Sequence, residues 1–146
     1  MKKSISDNIY IYEGFWTRDE VARDVDSVYI FGDNCKDALG TFVPTTTQAC
    51  IRFLPNAIGL STKKDRYWAN QSYFSNEDLD LFTVLVEATI ALIKVNIELG
   101  KTIVFPADGL GTGKAMLKEK APKCWEYLCK RLKEEFDYNN ETLSHR

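Results

Sequence analysis

Histidine is nearly absent from this sequence, since the 146 residues contain only His145, the second-last residue. One histidine in a polar chain end cannot build the Ser-His-Asp, Cys-His or multi-histidine metal sites that many hydrolases and metalloenzymes use. Any catalysis must therefore come from carboxylates, lysines, hydroxyls, thiols or ordered water. We predict neither a bound metal nor a cofactor.

Long apolar runs and a charge excess of either sign are also missing. No stretch approaches the roughly 18 consecutive apolar residues of a membrane helix. Residues 1–7 contain two lysines but no apolar core after them, unlike a secretory signal. The net charge of -2 provides no general attraction for a long nucleic acid. We expect a cytoplasmic protein with no membrane partner and no long nucleic-acid partner.

Paired cysteine motifs are the third absence. The four cysteines, at positions 35, 50, 124 and 129, lack C-x-x-C spacing and lie mostly in segments typical of core or helix. Free thiols are therefore expected rather than disulfides or zinc ligands. The length suits one domain, residues 1–146, and the low apolar content from about Asp137 predicts a frayed tail over residues 137–146.

Strand-like and helix-like segments alternate along the chain. Strands are predicted over residues 9–12, 28–31, 57–62 and 102–105, and helices over 17–25, 45–53, 75–99 and from Pro122 onward. Thr17 and one of the threonines at 45–47 are expected to cap helices, and Gly100 to end the longest one. This alternation favours a three-layer α/β/α domain with a mixed, mainly parallel sheet.

Polar loops follow three of the predicted strands. Residues 32–34 follow one strand, Lys63 and Lys64 end another, and residues 108–113 follow a third. Ligands of parallel α/β sheets bind outside the carboxyl ends of the strands. The three loops are therefore expected to share one edge of the sheet, which we call the rim.

The third loop has glycines at every second position, Gly109, Gly111 and Gly113. Glycine adopts positive φ without a Cβ penalty, and successive exposed N–H groups form a concave anion site that suits a phosphate. The spacing matches neither the phosphate-loop signature nor G-x-G-x-x-G. An ordinary flexible turn is the alternative interpretation.

Together the three loops resemble those of the macro domain, a fold that binds ADP-ribose and its derivatives. Phe31-Gly32-Asp33-Asn34-Cys35 with Ala38-Leu39-Gly40 is similar to the family's first ligand loop, Leu60-Ser61-Thr62-Lys63-Lys64 to its Thr-Lys-Lys strand end, and Pro106 through Gly113 to its phosphate loop. The likeness covers residues 28–117. It is closest to the hydrolases that remove terminal ADP-ribose from protein carboxylates, and an uncharacterised macro-like group from bacteria and phages is also similar.

The resemblance implies roles for individual residues. Asp33 would accept a hydrogen bond from the adenine amino group, and Lys63 or Lys64 would contribute to catalysis. Ala115 stands where the hydrolases have an aspartate, so Asp108 is the candidate replacement carboxylate. The implied ligand-binding residues are Gly32, Asp33, Asn34, Gly40, Thr45, Thr46, Gln48, Thr62, Gly109, Leu110, Gly111, Thr112 and Gly113.

Two functional hypotheses remain open on the sequence. The first is an enzyme that hydrolyses an ADP-ribosyl bond, with ADP-ribose or a related nucleotide and an ADP-ribosylated macromolecule as partners. The second is a non-catalytic module that reads or sequesters an NAD-derived nucleotide. The aromatic side chains of Tyr67, Trp68, Tyr73 and Phe74 either stack on the ligand or pack in the core.

Overall fold

The computed structural model of the chain describes residues 1–143, with side chains for residues 1–141. The strands are β1 (Lys2–Ser6), β2 (Ile9–Tyr12), β3 (Ser27–Asn34), β4 (Ala57–Lys63) and β5 (Thr102–Pro106). The α-helices are α1 (Arg18–Arg23), α2 (Cys35–Ala38), α3 (Leu79–Glu98), α4 (Leu117–Lys120), α5 (Pro122–Phe136) and α6 (Asn140–Leu143). Short 3₁₀ helices span Gln48–Ile51, Asn70–Ser72, Asn76–Asp78 and Gly113–Ala115.

The five strands form one mixed sheet in the order β1-β2-β5-β3-β4. β2, β5, β3 and β4 are parallel, and β1 pairs antiparallel with β2 at the edge. The predicted α/β fold with a mainly parallel sheet is thus confirmed. β1 itself was not expected, because a short, half-polar edge strand carries no apolar run to reveal it.

Helices cover both faces of the sheet, which gives three layers. α3 and α5 pack on one face around a core that includes Ile30, Phe82 and Phe105. α1 and the Gln48–Ile51 turn cover the other face through Val21 and Ile51, together with Trp16 just before α1. The central strands β3 and β5 are therefore buried on both sides, as their continuous apolar runs require.

Most predicted helix boundaries are confirmed. The Thr17 hydroxyl accepts a hydrogen bond from the Glu20 amide at 3.2 Å, and Gly100 ends α3 with φ +84°. The helix expected over 45–53 was wrong: only Gln48–Ile51 is helical, and Thr47 forms no side-chain cap. Positive φ at Thr47 and Phe53 interrupts helical geometry on both sides of this turn. Within residues 1–143, none of the helices combines the length and apolar composition needed to cross a membrane.

The segment after α5 is packed against the third loop rather than frayed. Tyr138 is fully buried, stacks on Phe105 with 4.3 Å between ring centroids, and donates to the Pro106 carbonyl at 2.6 Å. Asn140 accepts from the Leu110 amide at 2.7 Å and donates to the Leu110 carbonyl at 2.9 Å. The expectation of a frayed tail from about Asp137 is therefore wrong for the described residues, because polar groups can be buried where they find hydrogen-bond partners. Residues 144–146, with His145, lie outside the described part.

Asn140→Ala is expected to lower the free energy of unfolding by about 1 to 3 kcal/mol, because it leaves the buried amide and carbonyl of Leu110 without partners. Urea titration followed by circular dichroism measures this change. Asn139→Ala is the matched control: this neighbour is exposed, so its replacement should change stability by less than about 0.5 kcal/mol. Equal effects of the two variants would contradict the assigned role of Asn140.

Candidate functional site

The carboxyl ends of β3, β4 and β5 are neighbours in the sheet, so the three polar loops meet at the rim. β3 lies between the other two strands, and its last residues pair with β4 as Asp33 with Ser61 and Asn34 with Lys63. The loop after β5 is linked to the loop after β3 by the side chain of Gln48. The rim is therefore one continuous surface.

Gln48 joins the first and third loops. Its Oε1 accepts from the Gly32 amide at 2.8 Å, while its Nε2 donates to Asp108 Oδ1 at 2.8 Å and to the Gly109 carbonyl at 2.9 Å. Both ends of the amide are engaged within the protein. Gln48 thus positions the loops, which differs from the ribose or phosphate contact expected from its position in the sequence.

Thr62, on β4, lies between the same two loops. Its side chain is buried, with Oγ1 3.9 Å from where a Cβ on Gly32 would lie and Cγ2 3.6 Å from where a Cβ on Gly111 would lie. Both distances are those of ordinary van der Waals contact, so Thr62 packs beside both loops without itself requiring glycine at either position. Thr62 therefore packs inside the rim.

The third loop, which we call the glycine loop, has the positive φ expected at Gly109 (+83°), Gly111 (+80°) and Gly113 (+57°). The Thr112 hydroxyl donates to the Asp108 carbonyl at 2.8 Å and fixes the turn. No acceptor within residues 1–143 takes a hydrogen bond from the amides of Gly111, Thr112 and Gly113. Three consecutive donors without partners are suited to an anion.

Two of the glycines differ in what surrounds them. A Cβ on Gly111 would lie 2.9 Å from the buried Leu117 side chain, whereas a Cβ on Gly113 would meet nothing within 4 Å. Gly111 is therefore required by packing and by its positive φ. Gly113 alone can be substituted without displacing the core.

The two lysines at the end of β4 have different environments. Lys63 is 7% exposed and its Nζ donates to the Tyr67 carbonyl at 2.5 Å. Burial lowers the pKa of Lys63, and repulsion by Lys114 lowers it further, against an opposing effect of Asp65. Lys64 is half-exposed and pairs with Asp78 at 3.1 Å. Lys63 is therefore the partly desolvated amine, and Lys64 belongs to a surface ion pair.

Lys63 belongs to a group that we call the lysine–aromatic cluster: Lys63, Trp68, Tyr73, Lys114 and Lys120. The Trp68 ring lies 5.0 Å from Lys63 Nζ and 5.9 Å from Lys114 Nζ, and the Tyr73 ring 4.5 Å from Lys63 Nζ and 5.0 Å from Lys120 Nζ. None of these lysines forms a salt bridge with a carboxylate in the described part of the chain. The cluster therefore places three lysines that form no salt bridge beside the glycine loop, with Asp65 as a nearby negative charge that acts on Lys63.

Asp33 is not the open acceptor that the resemblance implies. Arg52 Nε and Nη2 both donate to its Oδ1, at 2.9 and 2.6 Å. The side chain of Asp33 is 5% exposed and that of Arg52 is 3% exposed. Its Oδ2 lies 2.7 Å from where a Cβ on Gly59 would be. The carboxylate therefore points into the protein, where its charge compensates that of Arg52.

Asn34 is likewise engaged within the fold, since its Oδ1 accepts from the Asp37 amide at 2.8 Å and so caps α2. The side chain of Leu110 is fully buried in the core and its amide is bound to Asn140, which leaves it no contact to offer a ligand. Thr45, Thr46 and Gly40 lie on the exposed loop between α2 and the Gln48–Ile51 turn. Of the residues that the resemblance implies as ligand contacts, those of the glycine loop are thus the best placed to bind an anion, because the backbone amides of residues 111–113 have no acceptor among the described residues.

Several rim residues gave no separate signal in the sequence. Lys114 and Lys120 are surface lysines, and only their positions beside aromatic rings that also face Lys63 identify them. Arg52 lies 19 residues from Asp33, with which it pairs. Within residues 1–143, no three His, Cys, Asp or Glu side chains converge as a metal site requires. The arrangement is suited to binding an anion through amides and ammonium groups.

Comparison with known proteins gives one finding. A family model matches residues 11–131, most of the chain, and it describes a family of unknown function (DUF7831). Curated proteins and solved structures give no match. The matched segment contains all three loops of the rim.

Proposed function

The chain belongs to DUF7831, a family of unknown function, and we propose that its rim binds ADP-ribose or a related NAD-derived nucleotide. The observation that carries this proposal is the juxtaposition of glycine-loop amides that have no hydrogen-bond acceptor with three lysines that form no salt bridge, both among the described residues. A macro-domain-like fold is part of the proposal, supported by the order of the three loops along the mainly parallel sheet.

The diphosphate is the part of the ligand with the clearest counterpart on the rim. Amides of residues 111–113 would donate to its oxygens, and Lys114, next in the chain, would supply charge. Hydrogen bonds that involve an ionised partner are about twice as strong as neutral ones. A small anion is favoured over a long polymer, because the positive charge is local and the whole chain carries -2.

The nucleobase would stack rather than hydrogen-bond to Asp33, whose carboxylate is engaged by Arg52. Trp68 is 64% exposed and Tyr67 52%, and both lie on the loop that contributes Trp68 to the lysine–aromatic cluster. Stacking of a base on an aromatic ring contributes about 1 to 3 kcal/mol. We therefore assign base contact to this loop.

Hydrolysis of an ADP-ribosyl bond is the second candidate function, favoured by the lowered pKa of the buried Lys63 amine. In this hypothesis the neutral Lys63 amine attacks C1″ of the ADP-ribosyl group. The bond from C1″ to the protein carboxylate breaks, the carboxylate leaves, and the new amine adduct loses its proton to solvent. Water would then release ADP-ribose from the lysine, with Asp108 as the candidate base. An ADP-ribosylated macromolecule would be the substrate. A cytoplasmic location completes the proposal, since four free cysteines suit a reducing compartment.

Titration calorimetry with ADP-ribose, cyclic ADP-ribose and AMP tests the proposal. We expect binding of at least one of them, and Lys114→Ala should weaken it by about 1 to 3 kcal/mol, as for a charge-assisted hydrogen bond. Lys118→Ala is the matched control, because this exposed lysine contacts none of the aromatic rings of the cluster. Absence of heat and of any thermal shift with millimolar amounts of all three ligands would reject the proposal.

A further inference from the structure

α3 has a second apolar face that packs against nothing in the described chain. Its core face, with Phe82, Val86, Ile90 and Ile93, lies on the sheet. On the opposite side the exposed residues recur at helical spacing, and five large ones are 49–70% exposed. This exposed stripe, which we call the α3 stripe, consists of Leu81, Val84, Ala88, Ala91, Leu92 and Val95 of α3 with Leu99, the residue that directly follows the helix.

Charged residues border the stripe without entering it. Glu87 binds Arg131 and Tyr127 of α5, and Lys94 pairs with Glu135, so these side chains turn toward α5. The stripe runs for about 27 Å at the 1.5 Å rise of a helix. A surface helix normally carries polar residues opposite its core face, and one that is apolar on both faces is normally buried.

We infer that the α3 stripe is the interface of a homodimer, in which α3 of one copy packs on α3 of a second copy across a twofold axis. The stripe is self-complementary, because the small residues Ala88 and Ala91 lie at its centre and Leu or Val side chains lie at both ends. In an antiparallel pairing the alanines meet at the axis, where helices approach most closely, and Val84 of one copy packs against Val95 of the other.

The exposed area agrees with a small but specific interface. The five large side chains are 49–70% exposed and, with Ala88 and Ala91, form one continuous apolar face. A twofold pairing along this face would belong to the smallest class of specific interfaces, near the limit of about 1,000 Å² in total. No charged group would be buried, which avoids the desolvation cost that opposes many interfaces. A membrane surface is disfavoured as the occupant, because the residues that border the stripe include the acidic Asp80 and Glu98 and only one lysine, Lys94.

Sedimentation velocity of the full chain over a concentration range of about two decades tests the inference. We expect a reversible monomer–dimer equilibrium that ends at the dimer, because a twofold interface is closed. Leu92→Glu should raise the dimer dissociation constant at least about tenfold, since it places a carboxylate against apolar surface in both copies. Circular dichroism should remain that of the folded protein, because Leu92 is half-exposed.

Leu39→Glu is the matched control. It makes the same substitution at a 91% exposed leucine outside α3, and the dimer dissociation constant should not change. A monomer at every concentration, assembly that continues beyond the dimer, or equal effects of the two variants would each overturn the inference. These outcomes are independent of nucleotide binding at the rim, since α3 carries none of the rim loops.

Discussion

Asp33→Ala is expected to lower the free energy of unfolding by about 3 to 5 kcal/mol, because it leaves the Arg52 guanidinium charged, buried and unpaired. This is a large fraction of the stability of a domain of this size, which is about 5 to 15 kcal/mol. Chemical denaturation followed by tryptophan fluorescence measures the change. A second variant, Asp33→Ala with Arg52→Met, should recover part of the loss, since it removes both charges.

Lys133→Ala is the control for this experiment. Lys133 pairs with Asp137 on the surface, where both side chains are more than half exposed, so its loss should cost less than about 1 kcal/mol. An Asp33→Ala variant that is as stable as this control but no longer binds an adenine nucleotide would restore the role implied by the macro-domain resemblance. It would contradict the assignment of Asp33 to the buried ion pair.

Lys63→Ala is expected to weaken binding of ADP-ribose at least about tenfold, whereas Lys64→Ala should change it less than about threefold. The two neighbours form a matched pair, because Lys63 lies beside the rings of Trp68 and Tyr73 and Lys64 is paired with Asp78. Titration calorimetry with each variant measures the difference. Equal losses would show that the rim attracts phosphate only through its general charge.

The same pair of lysines separates binding from turnover. If Lys63 is a nucleophile, Lys63→Arg should remove hydrolysis of ADP-ribosylated carboxylates, because a guanidinium is not a usable nucleophile at neutral pH. Lys64→Arg should leave hydrolysis intact. Since burial lowers the pKa of Lys63, the rate should rise with pH until the amine is fully deprotonated. Hydrolysis that survives Lys63→Arg would exclude the amine mechanism and leave Asp108 acting on water.

How well the fold and the rim can be predicted from the sequence depends on how far apart in the chain the interacting residues lie. Strand runs, the Thr17 cap and the stop at Gly100 are local patterns, and the structure confirms them. Positive φ at alternate glycines is also local, because only glycine adopts it without strain. Adjacency of the three loops follows from parallel strands alone, so sequence could predict the rim without any side-chain contact.

The failures involve partners that are distant in the sequence. No local pattern around Asp33 predicts that Arg52 is its partner. Asn140 is buried against the glycine loop, but a polar residue type predicts an exposed position. Gln48 was expected to contact a ligand, but its amide completes hydrogen bonds to two loops that only the folded chain brings together. Whether a polar residue at a site contacts a ligand or supports the fold depends on its partners in the folded chain. A local sequence pattern does not contain those partners.

The position of Trp68 makes the protein its own optical sensor. Trp16 and Trp125, the other two tryptophans, are only 7% and 4% exposed, whereas Trp68 is open to solvent beside the Lys63 amine. A soluble collisional quencher therefore acts almost entirely on one indole of the three, and that indole borders the rim. Occupancy of the rim can consequently be followed in the unlabelled chain as a change in quenching, without a dye and without a modified ligand.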